Sequence, residues 1–185
     1  AFPKDLIKIG SYEFCDNKTI HNLLLPRGPK DFDNGAFYGC DIEHISVDPN
    51  NKWYSDMGSD IITYRDLDNH RHLLLGCKNS LIPEGIEIID RCAFVSVEKL
   101  NNFKLPKSLL AIHDYAFDNV DLGIEDFIFP DSWEDLGDHA FNIPENIKKI
   151  KFNSGLKNVG SNHCKGIKSL YIPASLENLG YYDFD

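Results

Sequence analysis

Apolar residues recur along this chain in a pattern that repeats about every 23 residues. The clearest copy is LPKSLLAIHDYAF, Leu105 to Phe117, in which the second residue is Pro and the thirteenth is Phe. Seven segments share this layout and keep the two positions eleven residues apart: Pro3/Phe14, Pro26/Phe37, Pro83/Phe94, Pro106/Phe117, Pro130/Phe141, Asn153/Cys164 and Pro173/Phe184. Self-similarity at such a period is typical of a solenoid, in which each repeat forms one turn of a stack.

The residues around each Pro position, called the anchor below, predict where strand and core lie. Positions −6, −3 and −1 are apolar in six units, and the last three positions alternate as a half-buried strand does. Positions +3 and +6 are also mostly apolar. Each unit thus supplies about six inward side chains, which it cannot bury alone but a stack of units can.

One interval between anchors, from 26 to 83, is too long for a single unit. It holds a degenerate unit, IEHISVD, with Asp48 at the anchor, followed by an insertion. Apolar runs at Ile61–Tyr64 and Leu73–Leu75 flank the segment DLDN. This pattern predicts a β-hairpin that projects from the sheet or extends it. We therefore predict a single domain over residues 1–185, with an interrupted repeat and hairpin insertion over residues 50–77.

The consensus LxxLxLP followed by xxLxxIgxxAFxxC is similar to the repeats of the BspA-like leucine-rich-repeat family. The segments AFYGC, HDYAF and VDPNNKWYS are close to that family's usage, and the resemblance covers nearly the whole chain. It implies a β-rich leucine-rich-repeat solenoid, right-handed, with parallel strands and few short helical turns. It also implies a secreted or surface-exposed bacterial protein with a non-enzymatic binding role in adhesion or host interaction.

The hydropathy and the ends of the chain indicate whether it spans a membrane and whether it is part of a longer product. There is no run of about 18 apolar residues, so no membrane span is predicted, and no signal peptide is visible. The chain begins inside a repeat and stops one residue after a repeat's Phe, without the polar capping unit that solenoids usually need. We expect a mature or excised piece of a longer product, with flanking repeats or domains.

The charge is unevenly distributed within a net charge of −10. Residues 108–147 contain ten acids and no Lys or Arg, and residues 148–176 contain six lysines and no acid. These lysines, called the lysine patch below, are Lys148, Lys149, Lys151, Lys157, Lys165 and Lys168. We favour mutual neutralisation between neighbouring turns. The alternative is that the patch receives an acidic partner, either a protein segment or a glycan. A chain of this net charge disfavours nucleic acid as the partner.

The outward positions of the predicted strands, −4 and −2, give a candidate binding face. Several −2 residues are more apolar than a purely solvated sheet requires, and a contiguous apolar patch on a surface indicates a partner. In leucine-rich repeats this side of the strands is the usual partner surface. The candidate residues are Leu24, Leu81, Lys104, Ile128, Lys149, Lys151 and Tyr171.

No known catalytic motif is present in the sequence, and we predict neither an enzyme nor a cofactor nor a metal site. The five cysteines are odd in number and form no CxxC, so we expect small buried hydrophobes. His70 and His72 lie near Asp66 and Asp68, but no third ligand has a helpful spacing, and a structural role is favoured. The alternative to a binding function is a rigid spacer that presents another domain, and a hydrolase is the least favoured hypothesis.

Overall fold

The computed structural model describes residues 2–3, 6–141, 147–163 and 167–183. The chain forms a β-solenoid of about seven turns in which most neighbouring strands pair in parallel, as the repeat predicts. The one helix among the described residues is a 3₁₀ turn at Asn34–Phe37. It is capped by Asp33, whose carboxylate accepts a hydrogen bond from the backbone N–H of Gly35.

The strands fall into groups according to their place in the repeat. Those before an anchor are β2 (Asn22–Leu25), β4 (His44–Val47), β9 (Asp126–Ile128), β11 (Lys149–Lys151) and β14 (Ser169–Tyr171). Those after an anchor are β1 (Lys8–Ile9), β3 (Asp31–Phe32), β7 (Ile88–Ile89), β8 (Ala111–Ile112), β10 (Asp135–Leu136), β12 (Asn158–Val159) and β15 (Asn178–Leu179). The hairpin contributes β5 (Ile61–Arg65) and β6 (Arg71–Gly76), and late in the chain β13 (Asn162–His163) pairs with β16 (Tyr182–Asp183).

The largest sheet is built from the residues after the anchor. Its strand order is β15-β12-β10-β8-β7-β6-β5, and its register places equivalent repeat positions side by side. In β8, for example, Ile112 pairs with Ile89 on one side and with Leu136 on the other. All three side chains are buried, because they occupy the same core position, +6, in successive turns.

The expectation of a strand before every anchor is wrong for the Pro83 and Pro106 units. Among the strands that precede an anchor, β2 pairs with β4, and β11 pairs with both β9 and β14 in a separate sheet. The insertion explains the gap after β4. The carboxylates of Asp60 and Asp56 accept the free backbone N–H groups of Ile45 and Val47, and the N–H of Leu81 bonds to the carbonyl of Ser59. The edge where the next strand would pair is therefore occupied by side chains of the insertion.

The predicted hairpin forms, and it extends the large sheet. Strands β5 and β6 pair antiparallel, and β6 then pairs in parallel with β7, with Leu73 opposite Ile89. Leu73 thus takes the +6 core position of the Asp48 unit, although it lies 25 residues after that anchor. The backbone N–H of Gly76 donates to Ala93, as that of Phe94 donates to Ala116. The third turn is therefore closed by β6, and the insertion lies between β4 and β6.

The core is a column of aromatic and aliphatic side chains that runs through the stack. Phe94, Phe117 and Phe141 stack with ring centroids 4.8 and 5.1 Å apart, and Phe14 stacks on Phe37 at 5.1 Å. The hairpin joins the two halves of the core. Ile61 and Leu73 belong to the later half, whereas Ile62, Leu75 and Cys77 belong to the earlier half.

The cysteines match their predicted role in part. Cys40 and Cys77 are buried, and their thiols donate to backbone carbonyls of Phe14 and Glu43. Burial raises the pKa of the Cys77 thiol, which makes it a poor nucleophile. Cys15 and Cys92 are half-buried, and the positions of Cys164, Lys165 and Phe184 lie outside the described residues.

Candidate functional site

Three neighbouring strands, β9, β11 and β14, form the continuous part of the candidate binding face. Their register places Lys151 between Ile128 and Tyr171. Ile128 is 68% exposed and Tyr171 is 57% exposed, while the alternate residue of β11, Ile150, is buried in the core. Adjacent strands lie about 4.8 Å apart, so this triad spans about 10 Å of surface. An apolar side chain, a lysine and an aromatic ring are thus presented side by side.

The other candidate residues lie apart from this triad. Leu24 is exposed on β2, which pairs only with β4 among the described strands. Leu81 and Lys104 are also exposed, but they lie in the two units that lack the strand before the anchor. Lys149 lies on β11 and faces Asp126 of β9 at 3.6 Å. The predicted face is therefore not one continuous strip.

Part of the lysine patch is neutralised by the acids one turn earlier. Lys148 lies 2.8 Å from Glu125, and Lys157 lies 2.9 Å from Glu134. The hydrogen bond from Lys148 holds the pKa of Glu125 below its ordinary value, and the hydrogen bond to Glu134 raises the pKa of Lys157. With Lys149 and Asp126, these three contacts agree with the favoured prediction of mutual neutralisation.

Two lysines of the patch are exposed without such a contact. Lys151 and Lys168 form no ion pair with the part of the chain that the structure describes. Lys151 has the apolar neighbours already named in the strands on both sides of it, so no carboxylate lies beside it in its sheet register.

A second polar cluster lies where the hairpin meets the large sheet. His72 Nδ1 lies 2.7 Å from Asp90 Oδ1, and its Nε2 lies 3.2 Å from Asp66 Oδ2. Tyr64 stacks on the imidazole with ring centroids 4.7 Å apart. Burial lowers the pKa of His72, but the hydrogen bonds and charges of Asp90 and Asp66 outweigh it and raise the pKa above its ordinary value. The sequence alone indicated His70, His72, Asp66 and Asp68, and Asp90 joins His72 and Asp66 through strand register.

A third cluster, of His21, Asp41 and Glu43, has donor atoms close enough to share a cation. Lys78 already takes that role, since its ammonium lies 2.5 Å from Glu43 and 3.8 Å from Asp41. This interaction holds the pKa of Glu43 below its ordinary value. The arrangement is a partly exposed ion-pair network between turns.

The repeats of this chain match a known protein family. The family described as the BspA-type leucine-rich repeat region matches in six copies over residues 1–57 and 74–185. The chain belongs to this family. The unmatched residues between the two ranges, 58–73, contain β5 and the start of β6, so the hairpin is an addition to the BspA-type repeat.

Solved structures show the same fold at low sequence identity. A leucine-rich repeat protein from Eubacterium ventriosum has a TM-score of 0.68 at 16% identity, over 95% of this chain and 54% of that one. The pneumococcal vaccine antigen PcpA has a TM-score of 0.59 at 17% identity, over 95% and 54%. A leucine-rich repeat protein from Bacteroides ovatus has a TM-score of 0.51 at 19% identity, over 97% and 50%.

The BspA-type chain thus spans about half the length of the solved structures that it matches. A comparison with curated protein sequences gave no match. Within the described residues, no helix has the length and apolar character needed to cross a membrane. The repeats establish the family, and the solved structures establish the fold.

Proposed function

We propose that this BspA-type domain is a non-enzymatic binding module of a secreted or surface-exposed bacterial protein. Its ligand carries carboxylate or sulfate groups, as an acidic glycan or an acidic protein segment does. The observation that carries the proposal is Lys151, exposed on β11 between Ile128 and Tyr171 and without an ion pair among the described residues. The solved relatives with this fold include a vaccine antigen, which supports an exposed location.

The chemistry of the triad suits an extended acidic ligand. An anionic group can bind Lys151, and the sugar ring or side chain that carries it can pack on Tyr171 or Ile128. Because the triad is about 10 Å wide, it fits one or two sugar units or a short stretch of extended peptide. The contact is small and exposed, so binding is expected to be weak for one site and sensitive to salt.

The test is a binding measurement with defined acidic probes: heparin, polygalacturonate and a polyglutamate peptide. Each is titrated against the purified domain at low and at physiological salt. The variant Lys151→Glu reverses the charge of the triad without touching the core. Lys157→Glu is the matched control, because Lys157 already pairs with Glu134 and lies outside β11.

The proposal predicts that at least one probe binds, that salt weakens it, and that Lys151→Glu abolishes it while Lys157→Glu retains most of it. Equal loss in both variants would mean that net charge, and not the triad, attracts the probe. No binding of any probe would overturn the proposal and favour a rigid spacer that presents another domain.

A further inference from the structure

The buried imidazole of His72 links the hairpin to the rest of the solenoid, because both of its nitrogens contact carboxylates. The side chain of His72 is only 9% exposed, and each ring nitrogen faces a carboxylate from a different part of the chain. Asp66 belongs to the hairpin tip, and Asp90 follows β7 in the Pro83 unit. The titratable groups that face this imidazole are Tyr64 from β5, Asp66 and His70 from the tip, Asp90 after β7 and His113 after β8.

The two hydrogen bonds require the charged form of the ring. A neutral imidazole has one N–H and one lone pair, whereas the imidazolium has two N–H groups. In the neutral form, one nitrogen would direct its lone pair at a carboxylate oxygen, and that carboxylate would lose its hydrogen bond from the ring. Asp90 is buried, so water cannot readily replace the ring as its donor, whereas Asp66 is partly exposed. The Tyr64 hydroxyl also lies 3.2 Å from Nδ1 of the ring.

We propose that His72, Asp66 and Asp90 form a pH-gated clasp, which holds the hairpin on the solenoid while His72 is an imidazolium and loosens it when His72 loses its proton.

The direction of the pH effect follows from the pKa shifts. The pKa of folded His72 is raised by its carboxylate partners, so the stabilisation is complete below the unfolded pKa and is lost as pH rises through the folded pKa. Burial raises the pKa of Asp66, but its hydrogen bonds from His72 and His70 outweigh this and lower it. That contribution is therefore lost as pH falls through the pKa of folded Asp66. The clasp is closed between these two limits.

The clasp also fixes what the hairpin tip presents. The Asp66 carboxylate accepts the backbone N–H of His70, and the Asp66 N–H bonds back to the His70 carbonyl. Between them Leu67 is fully exposed. Asp66 thus both shapes the hairpin tip and pairs with His72 of β6. Opening the clasp therefore releases the tip and β6 together.

Two measurements on the intact chain test the proposal. Nitrogen-15 NMR of the histidine side chains gives the pKa and the protonation state of each ring. Amide hydrogen exchange, corrected for the intrinsic dependence on pH, gives the local opening of β5 and β6 from about pH 5 to about pH 10. We expect both nitrogens of His72 to stay protonated to a higher pH than in an ordinary histidine. Above its pKa, protection of the β5 and β6 amides should fall by up to about tenfold per pH unit, the limit for one linked proton.

Strands β8 and β10 serve as an internal reference, and their protection should not follow the same titration. Asp90→Asn keeps the size of the side chain but removes its charge, and should lower the pKa of His72 and shift the loosening to lower pH. His21→Gln, at an exposed histidine in another turn, should change neither. A His72 pKa at or below its ordinary value, or hairpin protection independent of pH in the unmodified protein, would overturn the proposal even if Asp90→Asn failed to fold.

Discussion

Gly76 packs directly against the ring of Phe94, and a Cβ atom built on Gly76 would lie 2.0 Å from Cε1 of that ring. Gly76 takes the place in the Asp48 unit that Phe occupies in most other units, because its N–H makes the same backbone hydrogen bond. The phenylalanine column is thus interrupted where the hairpin returns. Only a residue without a side chain lets β6 close the third turn against the fully buried Phe94.

Gly76→Ala is therefore expected to destabilise the fold. Phe94 is fully buried, and overpacking of a core costs about 1–3 kcal/mol. Urea unfolding followed by circular dichroism measures the loss. Gly10→Ala is the control, because its new Cβ would meet only the flexible end of the Glu13 side chain at 3.3 Å. Equal stability of the two variants would show that β6 does not close the turn as described.

Asp60 is expected to stabilise the exposed edge of β4. Its carboxylate accepts the N–H of Ile45 at 3.0 Å, where the next strand would otherwise pair. Asp60→Ala leaves that donor unsatisfied and should cost about 1.5–3 kcal/mol, the range for hydrogen bonds to charged groups.

Asp60→Asn is the matched variant for this test. Residue 60 has a φ of +56°, which Asn tolerates, and the amide oxygen can still accept the bond. Asn should therefore retain most of the stability in a urea titration. A loss as large as that of Ala would mean that the negative charge, and not the acceptor, matters.

Trp133 is fully buried, and its indole N–H has no hydrogen-bond partner within the described residues. Trp133→Phe removes this unsatisfied donor at the expense of packing volume. Because an unsatisfied buried donor costs about 1–3 kcal/mol, the two effects should nearly cancel, with a net change within about 1 kcal/mol. Trp133→Ala provides the contrast, with an expected loss of about 3–5 kcal/mol in thermal or urea unfolding. A large loss in Trp133→Phe would indicate that the N–H is satisfied by bound water.

Cys92 has a φ of +58°, a left-handed conformation that costs an L-residue about 1–2 kcal/mol. Cys92→Gly relieves this strain, and after the entropy of glycine is subtracted a gain of about 0.5 kcal/mol is expected. Cys15 is also half-buried but is not among the residues with positive φ, so Cys15→Gly should destabilise. Melting temperatures of the two variants should move in opposite directions. A decrease for both would contradict the strain argument.

The periodic features of the fold could be predicted from the sequence. The anchors and the apolar positions around them predicted the solenoid, and Leu109, Ile112 and Phe117 are buried where the pattern places them. The two apolar runs of the insertion predicted the hairpin, because alternating strands and a short polar turn are local signals. Of the candidate site, the exposure of Ile128 and Tyr171 followed from the same alternation.

The remaining features depend on contacts between distant residues. The sequence could not show that Asp90 would meet His72. It also could not show that Lys148 would pair with Glu125 while Lys151 forms no ion pair within the described part of the chain. The apolar pattern specifies which face a residue occupies, but the offset between turns sets which polar side chains touch. The sequence distance between neighbouring turns also grows where the insertion lengthens one unit.

The sequence by itself thus determined the repeat, the inward columns of the core and the presence of a hairpin, because these follow from local periodicity and turn chemistry. Tertiary structure alone decided that β6 closes the third turn, that the strand before the anchor is absent in two units, and that one buried histidine joins two carboxylates. Each of these outcomes is a matter of register between segments far apart in the chain, which only the packed stack of turns specifies.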